Sequence, residues 1–193
     1  AVQNGHEVAA FERTGRPALT PARHPWTGEV EWRAADVFEP DTWRDLLDDV
    51  DAVVHSIATI RERPEQGVTF DRVNAESALT VAGEAVDAGV ESFVYLSVRD
   101  KPPFVPHDFL TSKRRAEREL GAQFPDLQTV FLYPNLVYGP GRRGSSTIAA
   151  VLHQLPDGAG GGYTQRAGRP LPVELVAAAA VQAATSEAVG GRL

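Results

Sequence analysis

The chain has 193 residues, a net charge of −7 and 42% hydrophobic residues, which bounds it to one domain, or one domain with a small appendage, around a real core. The acidic balance speaks against nonspecific nucleic-acid binding, which needs a basic face, and the absence of Cys excludes a disulfide framework, a thiol nucleophile and a thiolate metal site. The longest apolar run, Leu175 to Val181, is far short of the roughly 20 residues a membrane span needs and no signal-peptide pattern opens the sequence, so the expectation is a cytoplasmic protein without a membrane span.

In chain order, Gly5 fits the left-handed stop of a helix, and Val8 to Phe11 fits a buried strand. The sequence therefore reads as if it opens at the end of a helix that a strand and a turn should precede. Glu12-Arg13-Thr14-Gly15-Arg16-Pro17 follows that strand, and Pro17 to Gly28 reads as a Pro-rich loop. Val30 to Val37 is a further strand, closing on Asp36-Val37, and Asp41 is the expected N-cap of the next helix. Asp51 to Ala58 is another strand, in which His55 reads as a core histidine. Val73-Asn74 then opens a helix from Ala75 to Ala88, with apolar residues at 78, 79, 82, 85 and 86 in helical spacing.

The central stretch runs from Gly89 to Gly141. Ser92-Phe93-Val94-Tyr95-Leu96-Ser97 is an apolar run of the kind buried on both faces of a parallel sheet. A polar, Pro-rich loop (Asp100 to Pro106) leads to Asp108-Phe109-Leu110-Thr111-Ser112-Lys113 and a charged helix ending near Gly121. Thr129 to Pro134 is a second apolar strand, followed by Asn135-Leu136-Val137-Tyr138-Gly139-Pro140-Gly141. Alternation of strands and helices throughout predicts an α/β fold with a doubly wound, Rossmann-like parallel sheet.

Strand, loop, Ser-Lys helix, strand and then Pro-x-x-Val-Tyr-Gly-Pro-Gly resembles the active-site half of an extended short-chain dehydrogenase/reductase, the NAD-dependent epimerase/dehydratase-like group. The resemblance covers roughly Gly5 to Gly141. Its missing piece is the glycine-rich loop that lets a backbone approach the pyrophosphate at a helix N-terminus. No such pattern occurs in the sequence, so the first strand and that loop are expected to lie outside it. The division implied is a dinucleotide-binding domain over 1–141 and a short, partial substrate-side segment over 142–193.

The resemblance assigns roles by position. Arg13 matches the residue that reads an adenosine 2′-phosphate in NADP-preferring members, with Glu12 as the competing residue for NAD. Asp36, with Val37, matches the adenine neighbour. Ser56-Ile57-Ala58 resembles the small-residue turn under the nicotinamide ribose, and Asn74 is a further marker. Pro134, Asn135 and Val137 match the segment beside the nicotinamide.

Lys113 matches the Lys of the Tyr-x-x-x-Lys pair, whose charge lowers the phenol pKa of a Tyr one helical turn away so that it can exchange a proton with substrate. Here Phe109 stands at the Tyr position and Arg99 at the Ser position. Tyr133 is the phenol that could substitute, and Tyr95 reads as core. Loss of the Tyr with retention of the Lys is similar to the atypical members, most of all the Rossmann-fold accessory subunit of respiratory complex I and the NmrA-like sensors.

The expectation is therefore an NADP-binding protein, with NAD possible, in a cofactor-holding, sensing or atypical reductase role, meeting a small-molecule substrate or a protein partner. An active oxidoreductase or epimerase on a nucleotide sugar and a cofactor-free interaction domain stand as alternatives. No metal constellation and no nucleophile elbow is present. Gly158 to Gly162 reads as loop, and Pro172 to Ala177 resembles the segment where extended members re-enter the helical layer.

Overall fold

The computed structural model describes residues 1–15, 24–102, 105–139, 169–186 and 191–192. Every pairing between the strands named below is parallel, and one isolated antiparallel bridge joins Arg63 to Val68. β1 (Val8–Glu12) pairs with β2 (Val30–Ala34), Val8 opposite Val30 and Glu12 opposite Ala34. β3 (Ala52–His55), β4 (Ser92–Leu96), β5 (Gln128–Leu132) and β8 (Gly191–Arg192) form a four-stranded sheet in that order. β6 (Val137–Tyr138) pairs with β7 (Leu171–Pro172).

Parallel neighbours require crossovers, and the helices supply them on both faces. α1 (Ser77–Asp87) and α2 (His107–Gln123) share one core with the sheet: Ala78, Val81, Ala82 and Ala85 from α1, Ala116 and Leu120 from α2, Phe93 and Tyr95 from β4. α3 (Val173–Thr185) covers the other face, where Ala180 and Ala183 meet Val94, Val130 and Leu132. Ser92 to Tyr95 are consequently all buried, as a continuous apolar strand demands.

Some boundaries differ from the sequence reading, each for a local reason. β1 is only half-buried, because β2 is its single pairing partner among the described residues. Phe11 recovers burial by stacking on Trp43 at 4.8 Å, and the Trp43 indole donates to the Asp36 carbonyl at 3.1 Å. β2 stops at Ala34, so Asp36 lies in the turn beyond it. Asp41 caps nothing. The segment forms two short 3-10 turns, Pro40–Thr42 and Arg44–Leu47, and the Asp41 carboxylate pairs with Arg44 at 2.7 Å.

The helix expected from Ala75 begins as a π-helical turn, Arg72–Glu76, which puts Asn74 inside the turn, not at a cap. On α1 the buried face passes through 78, 81, 82 and 85, leaving Val86 44% exposed; this is the i, i+3, i+4, i+7 stripe of a helix on a sheet. α2 passes Gly121 and stops before Phe124, whose ring packs on the core and which Pro125 follows, a residue unable to continue a helix.

Candidate functional site

The site is built at the carboxyl ends of the strands, where ligands of open parallel α/β sheets bind. At the ends of β1 and β2 a cleft of about 360 Å³ is lined by Arg13, Ala34, Ala35, Asp36, Glu39 and Thr42. Two residues selected from sequence, Arg13 and Asp36, are therefore brought together. Their meeting depends on Gly15, whose φ of +82° and whose missing Cβ, which would sit 2.9 Å from that of Ala34, let the turn after β1 close against β2. The Gly15 amide bonds the Glu12 carbonyl at 3.0 Å, and Ala35 bonds the same carbonyl at 3.2 Å.

The charges in this cleft are unequal in availability. The Glu12 carboxylate accepts from the Thr14 hydroxyl, and one Asp36 oxygen accepts the Phe38 amide at 3.0 Å. Arg13 is exposed and its guanidinium meets no charged partner among the described residues. Val37, matched to the cofactor by position, points its side chain into the core instead.

At the end of β3, His55 is the core histidine expected. Its Nε2 lies 3.1 Å from the Ser77 hydroxyl, which itself donates to the Val73 carbonyl at 2.6 Å. Nε2 is thus the protonated nitrogen, and Nδ1 is buried without a partner among the described residues. Burial, then the charge of Lys113, push the imidazole pKa down to about 3. Ser56, Ile57 and Ala58 follow beyond the last ladder pair of β3. Ser56 and Ala58 are exposed, and Ile57 packs on the core. Asn74 is fully buried; its Oδ1 accepts the Thr59 amide at 2.8 Å, and its Nδ2 reaches the Thr59 carbonyl and the Ser112 hydroxyl.

Between α2 and the ends of β4 and β5 lies a buried polar cluster. Lys113 is 2% exposed; its Nζ donates to the Leu96 carbonyl at 2.9 Å and sits 4.5 Å from the Tyr95 ring centroid. Burial pushes its pKa down to about 7, against the opposing pull of Glu117. Phe109, one turn before it, packs edge-on to Phe70 at 5.9 Å and beside Val105, so the Tyr position is apolar and buried. Burial drives the Tyr95 phenol far above its ordinary pKa, and that phenol donates to the Asn74 carbonyl at 2.6 Å. Tyr95 is core.

Glu117 is the residue sequence reasoning missed. Its carboxylate accepts from Ser97, from the Tyr133 phenol at 2.9 Å and from Arg114. Arg114 also donates to the Val98 and Arg99 carbonyls at 2.8 and 3.1 Å. Glu117 and Arg114 follow Lys113 at four positions and one position on the same helix, a spacing that put a carboxylate one turn from the lysine, but only the fold brings Tyr133 there. Arg99 itself is exposed and enters the cluster through its backbone. Pro134, Asn135 and Val137 are half-buried at the end of β5, and Gly139 closes the turn with φ +149° and a Cβ position 2.6 Å from Val173. Residues 140–168, including the expected Gly158 to Gly162 loop, lie outside the described residues.

Among the described residues no three His, Asp or Glu side chains converge on a metal position, and no helix is long and apolar enough to cross a membrane.

Parallel strands with helices on both faces define a Rossmann-like α/β fold. Residues 1–101 match the NAD dependent epimerase/dehydratase family, and the chain belongs to it; a nicotinamide dinucleotide is the cofactor class that family name carries. A chloroplastic protein of Arabidopsis thaliana, described as uncharacterized, is 34% identical over 72% of this chain and 45% of its own length. MIOREX complex component 2 of Saccharomyces cerevisiae is 24% identical over 72% of this chain and 66% of its own. The chain therefore spans between about half and two thirds of these curated relatives. Among solved structures, MoeE5 in complex with UDP-glucose and NAD superposes with a TM-score of 0.69 at 22% identity, over 99% of this chain and 68% of that one, a likeness of fold.

Proposed function

We propose that the protein binds NADP(H), with NAD as the weaker alternative, and holds it without the Tyr-Lys proton transfer of reductive family members. The observation that carries this reading is the cleft in which Arg13 and Asp36 meet. A cation with no charged partner among the described residues fits a 2′-phosphate at the adenosine end, because a bound phosphate gains a charge-assisted hydrogen bond from it. Glu12, the residue that would favour a 2′-hydroxyl, is engaged by Thr14.

The holding role is supported by the chemistry of the positions around Lys113. Phe109 has no proton to exchange, and Arg99 stands where a Ser hydroxyl would polarise substrate. Lys113, Ser56 to Ala58, Pro134, Asn135 and Val137 would flank the nicotinamide half. Activity on a nucleotide sugar is the second reading. It draws on the UDP-glucose named with MoeE5 and on Tyr133 at the end of β5, though that phenol is spent on Glu117. A cytoplasmic location, and a protein partner in place of a substrate, belong to the same proposal.

Fluorescence titration with NADPH and NADH tests it. Selective NADPH binding that weakens about 10- to 100-fold in Arg13→Ala, the loss of one charged phosphate contact, is the expected result. No binding of either dinucleotide by folded protein refutes the reading and leaves an interaction domain. Turnover of NADPH with a nucleotide sugar would transfer the conclusion to the second reading.

A further inference from the structure

We infer that Arg99 is a recognition site for an oxyanion, a phosphate or carboxylate group, at the carboxyl end of β4, and that Arg114 is the positioning residue that holds it there. The site lies on a different segment from the Arg13 cleft and is independent of the dinucleotide reading above.

The exit of β4 is held to α2 residue by residue. Lys113 Nζ donates to the Leu96 carbonyl at 2.9 Å. The Arg114 guanidinium then spans the next three residues, donating to the Ser97 hydroxyl at 3.3 Å, the Val98 carbonyl at 2.8 Å and the Arg99 carbonyl at 3.1 Å. It is fixed in turn by the Glu117 carboxylate and lies 5.3 Å from the centroid of the Tyr133 ring, whose phenol donates to the same carboxylate. The Ser97 amide makes one more bond across to β5, to the Leu132 carbonyl at 2.8 Å. Val98 and Arg99 lie past the β4–β5 ladder, and there α2 supplies the donors that a neighbouring strand would otherwise give.

This fixed backbone presents one side chain to solvent. Val98 packs on the cluster of Phe70, Val105 and Phe109, and alternation along an extended segment turns the next residue the other way. Arg99 is exposed, and its guanidinium has no charged partner among the described residues. Arg99 and Lys101 flank Asp100, and Glu117 is already neutralised by Arg114. The excess charge at the end of β4 is therefore positive, in a chain whose net charge is −7.

A guanidinium donates in a planar fork that matches the oxygens of a phosphate or carboxylate. Holding its backbone in place beforehand lowers the ordering cost of binding. That anchorage separates Arg99 from an arginine merely solvated at the surface, such as the exposed Arg118 further along α2.

Calorimetric titration with inorganic pyrophosphate tests the site on wild type, Arg99→Ala, Arg114→Lys, Arg118→Ala and Arg13→Ala, each checked for folding by circular dichroism. Arg99→Ala should weaken pyrophosphate at least about 10-fold, while Arg118→Ala, which removes an equal charge, should stay within about 2-fold. Arg114→Lys keeps the charge but loses the planar fork. It should weaken pyrophosphate about 3- to 10-fold and speed tryptic cleavage after Arg99, a readout that a purely electrostatic role would leave unchanged. Absence of pyrophosphate binding by wild type, equal losses in Arg99→Ala and Arg118→Ala, or a loss confined to Arg13→Ala overturns the oxyanion site. Wild-type binding and proteolysis in Arg114→Lys overturn the positioning role. Arg99→Ala alters only an exposed side chain, so it decides the site even if Arg114→Lys fails to fold. Repeating the titration at saturating NADPH identifies the source of the oxyanion. Retained binding assigns it to a second ligand, and displacement, with weaker NADPH binding by Arg99→Ala, assigns it to the dinucleotide.

Discussion

His55 makes the stability of this protein dependent on mildly acidic pH. In the fold its imidazole lies between α1 and the sheet, stacked with Tyr95 at 5.6 Å and Phe93 at 6.1 Å, with Nδ1 buried and unpartnered among the described residues. Burial, and secondarily the Lys113 charge, lower its pKa from 6.5 to about 3. As pH falls through 6.5 the unfolded chain takes up a proton that the folded chain refuses, so stability is present at neutral pH and is lost toward the folded pKa. Between about pH 7 and pH 5 the loss from this one group is about 2 kcal/mol. The perturbation is His55→Asn, which removes the titration while retaining a polar group near Ser77. Urea denaturation at half-unit pH intervals provides the assay. The variant should be less stable at neutral pH, having lost ring packing, yet its stability should fall about 2 kcal/mol less across that window. Parallel pH profiles for the two proteins would refute the buried, neutral state argued for His55.

Two further expectations follow from the cluster on α2. Lys113 has its folded pKa lowered from 10.5 to about 7, so the folded state binds fewer protons and this group makes stability rise with pH. Between about pH 7 and pH 9 the gain is at most about 2–3 kcal/mol, and Lys113→Met should abolish it; unchanged slopes in urea denaturation would show the amine to be solvated. Glu117→Ala strands Arg114, Ser97 and Tyr133 together. With Arg114 a third exposed, the expected cost is about 2–3 kcal/mol, read as a lowered urea midpoint, and a change below about 0.5 kcal/mol would count against a cooperative cluster.

How much of this was legible beforehand differs by element. The α/β class, the parallel order and the β4 and β5 strands were readable because a strand buried on both faces needs a continuous apolar run, and β4 supplies Phe93-Val94-Tyr95-Leu96. His55 and Tyr95 were readable as core for the same reason. Helical spacing sets Phe109 one turn before Lys113, and the packing of Phe109 on Phe70 agrees with an apolar role there.

Other features depended on contacts between residues far apart in sequence, and those no local pattern encodes. Asn74 read as a marker at the start of a helix; only the π-helical turn and the approach of residue 112, 38 positions on, make it a bridge. Asp41 had the composition of a cap, but Pro40 and the wedge of Trp43 into the core hold its segment in 3-10 turns. Glu117 read as one charge among many on a polar helix. Its burial comes from the meeting of Ser97, Tyr133 and Arg114, which sit on three different segments. Arg13 and Asp36 were each visible alone, and the closure of the Gly15 turn against Ala34 is what places them in one cleft. Hydrophobic periodicity determines which face of each element turns inward; which polar groups then face one another is settled only when the elements pack, because that pairing is a property of distances across the chain.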